Sequence, residues 1–178
     1  MKHIIAFAGS NSKQSINKQL VTYTSSLVEN LDTTILDLND FEVPIFSVDL
    51  EQETGFPEHA KRLMNIIKEA DGLIISLAEH NGAYTAVFKN LFDWISRVEP
   101  KTFQNKPMLL MATSPGARGG LTVLEMAKAR FPRHDSNIVA TYSLPSFFDN
   151  FSEGKITHSD LNAQLLKAVK LFQEALNH

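Results

Sequence analysis

The sequence predicts a doubly wound α/β domain, a five-stranded parallel sheet with helices on both faces. Three observations predict it. Apolar runs of six to eight residues alternate along the chain with longer segments whose apolar residues recur at helical spacing, the pattern of strand–helix–strand crossovers. The strongest of these runs are apolar throughout, as strands buried on both faces are. The 178 residues, 43% apolar and 21% charged, suit one ordinary globular domain, and no repeat, low-complexity tract or linker divides them. Residues 1–178 are therefore read as a single domain.

The elements follow in order. His3–Ala8 (HIIAFA) is the first strand, and Asn17–Glu29 a helix with Leu20, Tyr23 or Thr24, Leu27 and Val28 on one side. Thr33–Leu38 is the second strand. Asn39–Pro57, holding Pro44, Gly55 and Pro57, is expected to be a long irregular stretch. Glu58–Ala70 is a helix with a stripe of Leu63, Ile66, Ile67 and Ala70, and Leu73–Ala78 (LIISLA) the third strand. Tyr84–Val98 is an amphipathic helix, with Tyr84, Val87, Phe88, Leu91, Phe92, Ile95 and Val98 on one arc and Trp94 at its edge. Pro107–Thr113, Leu121–Phe131 and Asn137–Leu144 give strand, helix and strand. Ser159–Leu176 closes the chain, opened by Thr157 and Asp160 in capping-box spacing. Five strands favour the flavodoxin-like order 2-1-3-4-5, in which ligands bind beyond the carboxyl ends of the strands at the switch point. The loops after strands one, three and four then converge.

Those loops are Gly9–Asn17 (GSNSKQSIN), Glu79–Ala83 (EHNGA) and Ser114–Gly120 (SPGARGG). The first enters a helix with Ser10, Ser12, Ser15 and Asn17, suited to an anion such as a terminal phosphate, because main-chain N–H groups and the helix dipole converge there. It could also be a capped turn with solvated polar residues. No G-x-G-x-x-G or G-x-x-x-x-G-K-[ST] occurs, so neither a dinucleotide fingerprint nor an ATPase loop is supported. In the second loop Gly82 permits close main-chain approach to a ligand, or Asn81 makes a local turn contact. In the third, three glycines within Gly116–Gly120 suit a flat ligand edge, or Gly119 and Gly120 cap the next helix. Arg118, the loop's one cation, meets substrate or solvent.

Together with DLNDFEVPIF (Asp37–Phe46), GFP (Gly55–Pro57), ADGLIIS (Ala70–Ser76) and FKNLFDW (Phe88–Trp94), these motifs resemble the NAD(P)H-dependent FMN reductases of flavodoxin-like fold, a group that includes quinone and azo-dye reductases. The resemblance implies FMN as cofactor and NAD(P)H as co-substrate, with hydride passing to flavin N5 and on to a quinone, azo compound, free flavin or similar acceptor in ping-pong order. It implies no catalytic side chain. By similarity Ser10, Ser12, Ser15, Ile16 and Asn17 hold the phosphate. Glu79, His80, Asn81 and Gly82 lie along the isoalloxazine, and Ser114, Gly116 and Gly119 line it from the neighbouring loop. Two departures stand out: Ser12 replaces an arginine of the family, removing a bidentate phosphate contact that Lys13 replaces only as a point charge, and Ala78-Glu79-His80-Asn81 replaces Pro-Glu-Tyr-Asn, bringing an imidazole to the ring edge. The resemblance further implies a homodimer or homotetramer.

Composition excludes several other classes. Seventeen basic against 20 acidic residues argue against a nucleic-acid or polybasic membrane binder, and the lack of cysteine excludes disulfides, thiolate catalysis and Cys-ligated metals. The six histidines show no metal-helix spacing, so no metal is expected, and G-x-S-x-G is missing. The N-terminal apolar stretch is too short for a signal and no run reaches membrane length, which reads as cytoplasmic. The alternative kept open is an FMN electron carrier of flavodoxin type without NAD(P)H turnover. Phe147, Phe148 and Phe151, clustered after the fifth strand, are expected at a subunit contact or a site wall, and Trp94 in the core or at an interface.

Overall fold

A computed structural model describes Met1–Asn177. Its centre is a five-stranded parallel sheet of β1 (His3–Gly9), β2 (Asp32–Leu36), β3 (Gly72–Leu77), β6 (Pro107–Thr113) and β7 (Asn137–Leu144), in the order β2-β1-β3-β6-β7. This is the flavodoxin-like order. The apolar runs form the three inner strands because every face there is covered, and their side chains divide with period two. Ile5, Phe7, Leu73, Ile75, Leu77, Met108, Leu110 and Ala112 pack towards α3 (Glu58–Glu69), α4 (Ala86–Val98) and α5 (Leu121–Arg130). Ile4, Ala6, Ile74, Leu109 and Met111 pack towards α1 (Ile16–Ser26) and α7 (Ser159–Leu176). Each large side chain so buried is worth about 1.5–3 kcal/mol.

Four expectations are corrected. Asn39–Pro57 is not irregular throughout: a 3-10 turn spans Leu38–Phe41, with Leu38 and Phe41 buried, and a short helix, α2 (Val48–Thr54), follows, capped by the Ser47 hydroxyl on Leu50 N–H. The fourth helix starts at Ala86 rather than Tyr84, because Thr85 caps it by accepting Phe88 N–H at 3.2 Å. Tyr84 belongs instead to a hairpin of β4 (Glu79–His80) and β5 (Ala83–Tyr84). The capping box does not form: His158 precedes α7, and no side chain caps it.

Trp94 is core rather than interface. Its indole is fully buried, donates to the Pro44 carbonyl at 2.7 Å and meets Phe46 edge-to-face at 5.0 Å, so it fastens the Pro44–Phe46 segment to α4. The phenylalanine cluster also splits. α6 (Phe147–Asn150) leads into a second hairpin, β8 (Phe151–Ser152) with β9 (Lys155–Ile156). Phe147 and Phe151 are buried and stacked at 4.6 Å, whereas Phe148 is 70% exposed. Among the described residues no helix is long and apolar enough to cross a membrane.

Candidate functional site

β1, β3 and β6 end side by side, and their three following loops are fastened to one another by specific contacts. The first fastening is Asn17. Its side chain, 1% exposed, accepts the Ser76 hydroxyl at 2.7 Å and the Thr113 N–H at 3.1 Å, and donates to the Thr113 carbonyl at 3.1 Å. Thr113 in turn donates its hydroxyl to the Leu144 carbonyl at 2.7 Å. A buried polar chain thus crosses the carboxyl ends of β3, β6 and β7 and fixes the start of α1 on them. Buried polar groups in such a chain cost little because each is paired.

The second fastening is Thr85, whose hydroxyl donates to the Gly9 carbonyl at 2.8 Å and ties α4 to the first loop. Gly9 has no room for a side chain there, since a Cβ would stand 2.9 Å from Leu77. The third is Glu79, whose carboxylate accepts the Val123 N–H at 2.9 Å and links the β4–β5 hairpin to the first turn of α5.

Within the first loop, Ser15 is buried and caps α1 by accepting Lys18 N–H at 3.1 Å. Ser12 accepts Gln14 N–H and Ser10 accepts Ser12 N–H, each at 3.2 Å, so both hydroxyls shape the turn. The N–H groups of Ile16 and Asn17, at the first two helical positions, find no acceptor among the described residues. Such orphan donors, with the positive end of the helix dipole, form an anion site. Lys18 is committed to Asp37, and that hydrogen bond, with one from Asn39 N–H, holds the Asp37 carboxyl below its ordinary 3.8. Lys13, exposed on the loop, pairs with no carboxylate among the described residues.

The second loop is a two-residue hairpin turn. Asn81 and Gly82 both have positive φ, 52° and 72°, the geometry for which Asn-Gly is the preferred pair. The turn by itself asks for this pair of residues. A Cβ at Gly82 would meet only Thr122 at 3.8 Å, so the turn's main chain remains open. His80 is exposed, and Tyr84 anchors the hairpin, its ring 5.3 Å from Phe88 and 6.3 Å from Phe131. Burial pushes the Tyr84 phenol up to about 12.

In the third loop the glycines divide by role. Gly120, at φ 74°, begins α5, and a Cβ there would press on Ala112 at 2.9 Å. Gly119, at φ 57°, sits so close to β7 that a Cβ would fall 2.5 Å from the Ser143 hydroxyl and 2.8 Å from the Leu144 carbonyl. Helix start and packing explain both. Gly116 is exposed, and a Cβ would find only the Ser114 hydroxyl at 3.9 Å. Its carbonyl accepts Ser146 N–H at 2.9 Å and that of Ser114 accepts Phe147 N–H at 3.1 Å, so α6 docks on this loop. Ser146 does so in left-handed conformation, φ 43°. Arg118 is exposed and reaches Thr122 at 3.4 Å. A cavity of about 640 Å³ flanks the first loop, between the Leu38–Phe46 segment and α4, with Asn11, Asn39, Ile45, Ala86, Val87 and Asn90 among its walls.

Side-chain commitments missing from the sequence reading are those of Asn17, Glu79 and Thr85. For Thr85 a signal exists, a threonine three residues before an apolar helical position; the partners of Asn17 and Glu79 lie tens of residues away.

Comparison with known proteins adds identity to this geometry. The family described as NADPH-dependent FMN reductase matches residues 2–149. A quinone reductase of Escherichia coli (strain K12) is 35% identical over 79 residues, 44% of this chain and 42% of that protein, so the match spans less than half of that relative. A 2-hydroxy-1,4-benzoquinone reductase of Burkholderia sp is 34% identical over 65% of this chain and 62% of its own length. An uncharacterized protein of Mycoplasma pneumoniae is 30% identical over 79% of this chain and 86% of its own. Among solved structures, the flavoenzyme NAD(P)H:(acceptor) oxidoreductase FerB from Paracoccus denitrificans superposes with a TM-score of 0.79 at 24% identity, covering 99% of this chain and 98% of that one. An azoreductase from Bacillus anthracis in complex with FMN does so at 0.64 and 15% identity, over 99% and 98%.

Proposed function

The chain belongs to the NADPH-dependent FMN reductase family, and from that membership we propose that it binds FMN at its three fastened loops and passes electrons from NAD(P)H to a small acceptor. The observation that carries the reading is a conjunction at one end of the sheet. The unpartnered N–H groups of Ile16 and Asn17 suit a terminal phosphate, while the open main chain at Gly82 and Gly116 suits a flat ring. These residues fit the cofactor. FMN, when bound, supplies the two-electron chemistry, so the chain needs no nucleophile or general base of its own.

The residues then have distinct tasks. Ser10, Ser12 and Ser15 shape and cap the phosphate loop, and Lys13 adds a mobile positive charge. Ile16 and Asn17 offer main-chain donors. Asn81, Gly82, Ser114 and Gly116 border the ring with main chain, and aimed N–H groups at such an edge favour the negative charge of a reduced flavin. Gly119 acts through packing. His80, Arg118 and the exposed ring of Phe148 are placed to meet the incoming donor or acceptor, and the cavity beside Asn11 gives either of them room. Donor and acceptor use one open face in turn, which yields ping-pong kinetics. Quinones and azo compounds, the substrates in the names of relatives, are the acceptor classes to try first. A homodimer or homotetramer is the proposed assembly.

An anaerobic titration tests this reading. The chain is loaded with FMN, freed of excess and mixed with NADPH while the visible spectrum is followed. Bleaching of bound flavin, with parallel double-reciprocal lines when a quinone is added, is the expected result. Flavin that stays bound but is reduced only by dithionite would favour the electron-carrier alternative. Flavin that washes through would overturn the site.

A further inference from the structure

Glu79 lies on the hairpin that borders the proposed ring site, yet its carboxylate turns away to α5, 44 residues on, and accepts the Val123 N–H at 2.9 Å. Val123 is the third residue of α5, where an N-terminal helix donor is normally met by the capping side chain. Here the cap residue is Gly120, which has no side chain, and none can be added because a Cβ would stand 2.9 Å from Ala112. The helix must be capped from elsewhere, and Glu79 does it, with its charge at the positive end of the helix dipole.

This contact is also the one hydrogen bond between the hairpin and α5 among the described residues. The two partners are held unequally. The start of α5 is immobilised by Gly119 packed on Ser143 and Leu144. The hairpin is a pair of two-residue strands whose far strand rests on Phe88 and Phe131 through Tyr84, while its near strand has the Glu79 contact and the turn is open enough that a Cβ on Gly82 would meet only Thr122, at 3.8 Å. Without the contact, the hairpin keeps no hydrogen bond to α5 among the described residues.

We infer that Glu79 is a positioning residue: it clasps the hairpin to α5 and so sets the gap in which the flavin ring sits, without itself touching the cofactor. The inference rests on the FMN reading of the site. It gives the acidic residue of the loop a task other than contact with the ring, where a free carboxylate would oppose the negative charge of a reduced flavin.

The test is a fluorescence titration of apoprotein with FMN, with the visible band positions and midpoint potential of the bound flavin, for wild type, E79A, E79D and E79Q. Glutamine keeps an acceptor of the same reach and drops the charge; aspartate keeps the charge and falls one methylene short. E79A and E79D are expected to bind FMN about tenfold more weakly, the loss of one hydrogen bond, with shifted bands and potential, and E79Q is expected to restore most of both. E79A binding FMN like wild type with unshifted bands overturns the inference. Equal effects in E79A and E79Q with E79D normal also overturn it, because charge would then matter rather than the clasp. Should E79A not fold, E79D and E79Q decide the question by themselves. A wild-type chain that binds no FMN overturns the site reading, and that result is distinct from either of these.

Discussion

Asn17 and Thr113, 96 residues apart in sequence, are paired like two halves of a peptide ladder: the Asn17 carboxamide donates to the Thr113 carbonyl and accepts its N–H, both at 3.1 Å. The polar atoms of the side chain are therefore already engaged within the protein. Its remaining capacity is spent largely on Ser76, so a phosphate would meet Asn17 through its main-chain N–H alone. Replacement by alanine strands the buried Ser76 hydroxyl and both main-chain polar groups of Thr113. At about 1 kcal/mol or more for each group, Asn17→Ala is expected to cost about 3 kcal/mol. Urea denaturation of apoprotein should register that loss before any cofactor is added, whereas a residue serving only as phosphate ligand would leave apoprotein stability unchanged.

The glycines of the third loop give a paired experiment. Gly119→Ala forces a methyl against Ser143 and the Leu144 carbonyl at a positive φ, for which overpacking and strain together cost about 3 kcal/mol. For a domain of this size that lowers the melting temperature by roughly 6–12 °C. Gly116→Ala adds a methyl in open space, where no neighbour lies nearer than 3.9 Å, so melting should not change. Its FMN affinity should fall if the ring lies on that main chain. An affinity unchanged in Gly116→Ala would remove Gly116 from the site.

His134 makes the fold sensitive to mild acid. Its Nδ1 lies 3.1 Å from the Pro100 carbonyl and so carries the proton, while Nε2 is buried without a partner among the described residues and the ring packs on Phe92 at 4.9 Å. Burial, with a smaller contribution from Arg130, holds the imidazole below its ordinary 6.5, although the Pro100 contact pulls the other way. The unfolded chain then takes up its proton first as pH falls. Stability is expected to decline from about pH 6.5 downward and to level off once the folded-state value is passed. In His134→Gln this part of the acid limb should flatten; denaturant midpoints measured across the window read the difference directly.

The strand order and the convergence of three loops were legible because they rest on continuous apolar runs and on glycine-rich breaks. Pro107–Thr113, Asn137–Leu144 and Ser159–Leu176 coincide with β6, β7 and α7 residue for residue. α2 was not legible, since none of its residues is buried and no apolar stripe marks it. The β4–β5 hairpin has strands too short to show a period, although Asn81-Gly82 announces its turn. The partners of the Asn17 amide are not legible, because composition cannot say which way an amide at a helix start faces. The partner of Glu79 is hidden for a similar reason: it is a main-chain N–H, which no side-chain pattern encodes.

The departure at Ser12 yields the sharpest test of the phosphate assignment. Ser12 is exposed, and its hydroxyl only steadies Gln14 N–H at 3.2 Å. Lys18 cannot stand in for the missing guanidinium while Asp37 holds it, which leaves Lys13 as the loop cation that pairs with no carboxylate among the described residues. Ser12→Arg restores a planar fork able to bind phosphate bidentately, a charge-assisted contact worth about 1.5–3 kcal/mol. FMN affinity should rise by roughly 10- to 150-fold. Riboflavin, which lacks the phosphate, should bind the variant no better than it binds wild type. Lys13→Ala should weaken FMN only several-fold and leave riboflavin unchanged. A Ser12→Arg variant that gains equally for both flavins would show that the phosphate does not lie at this loop.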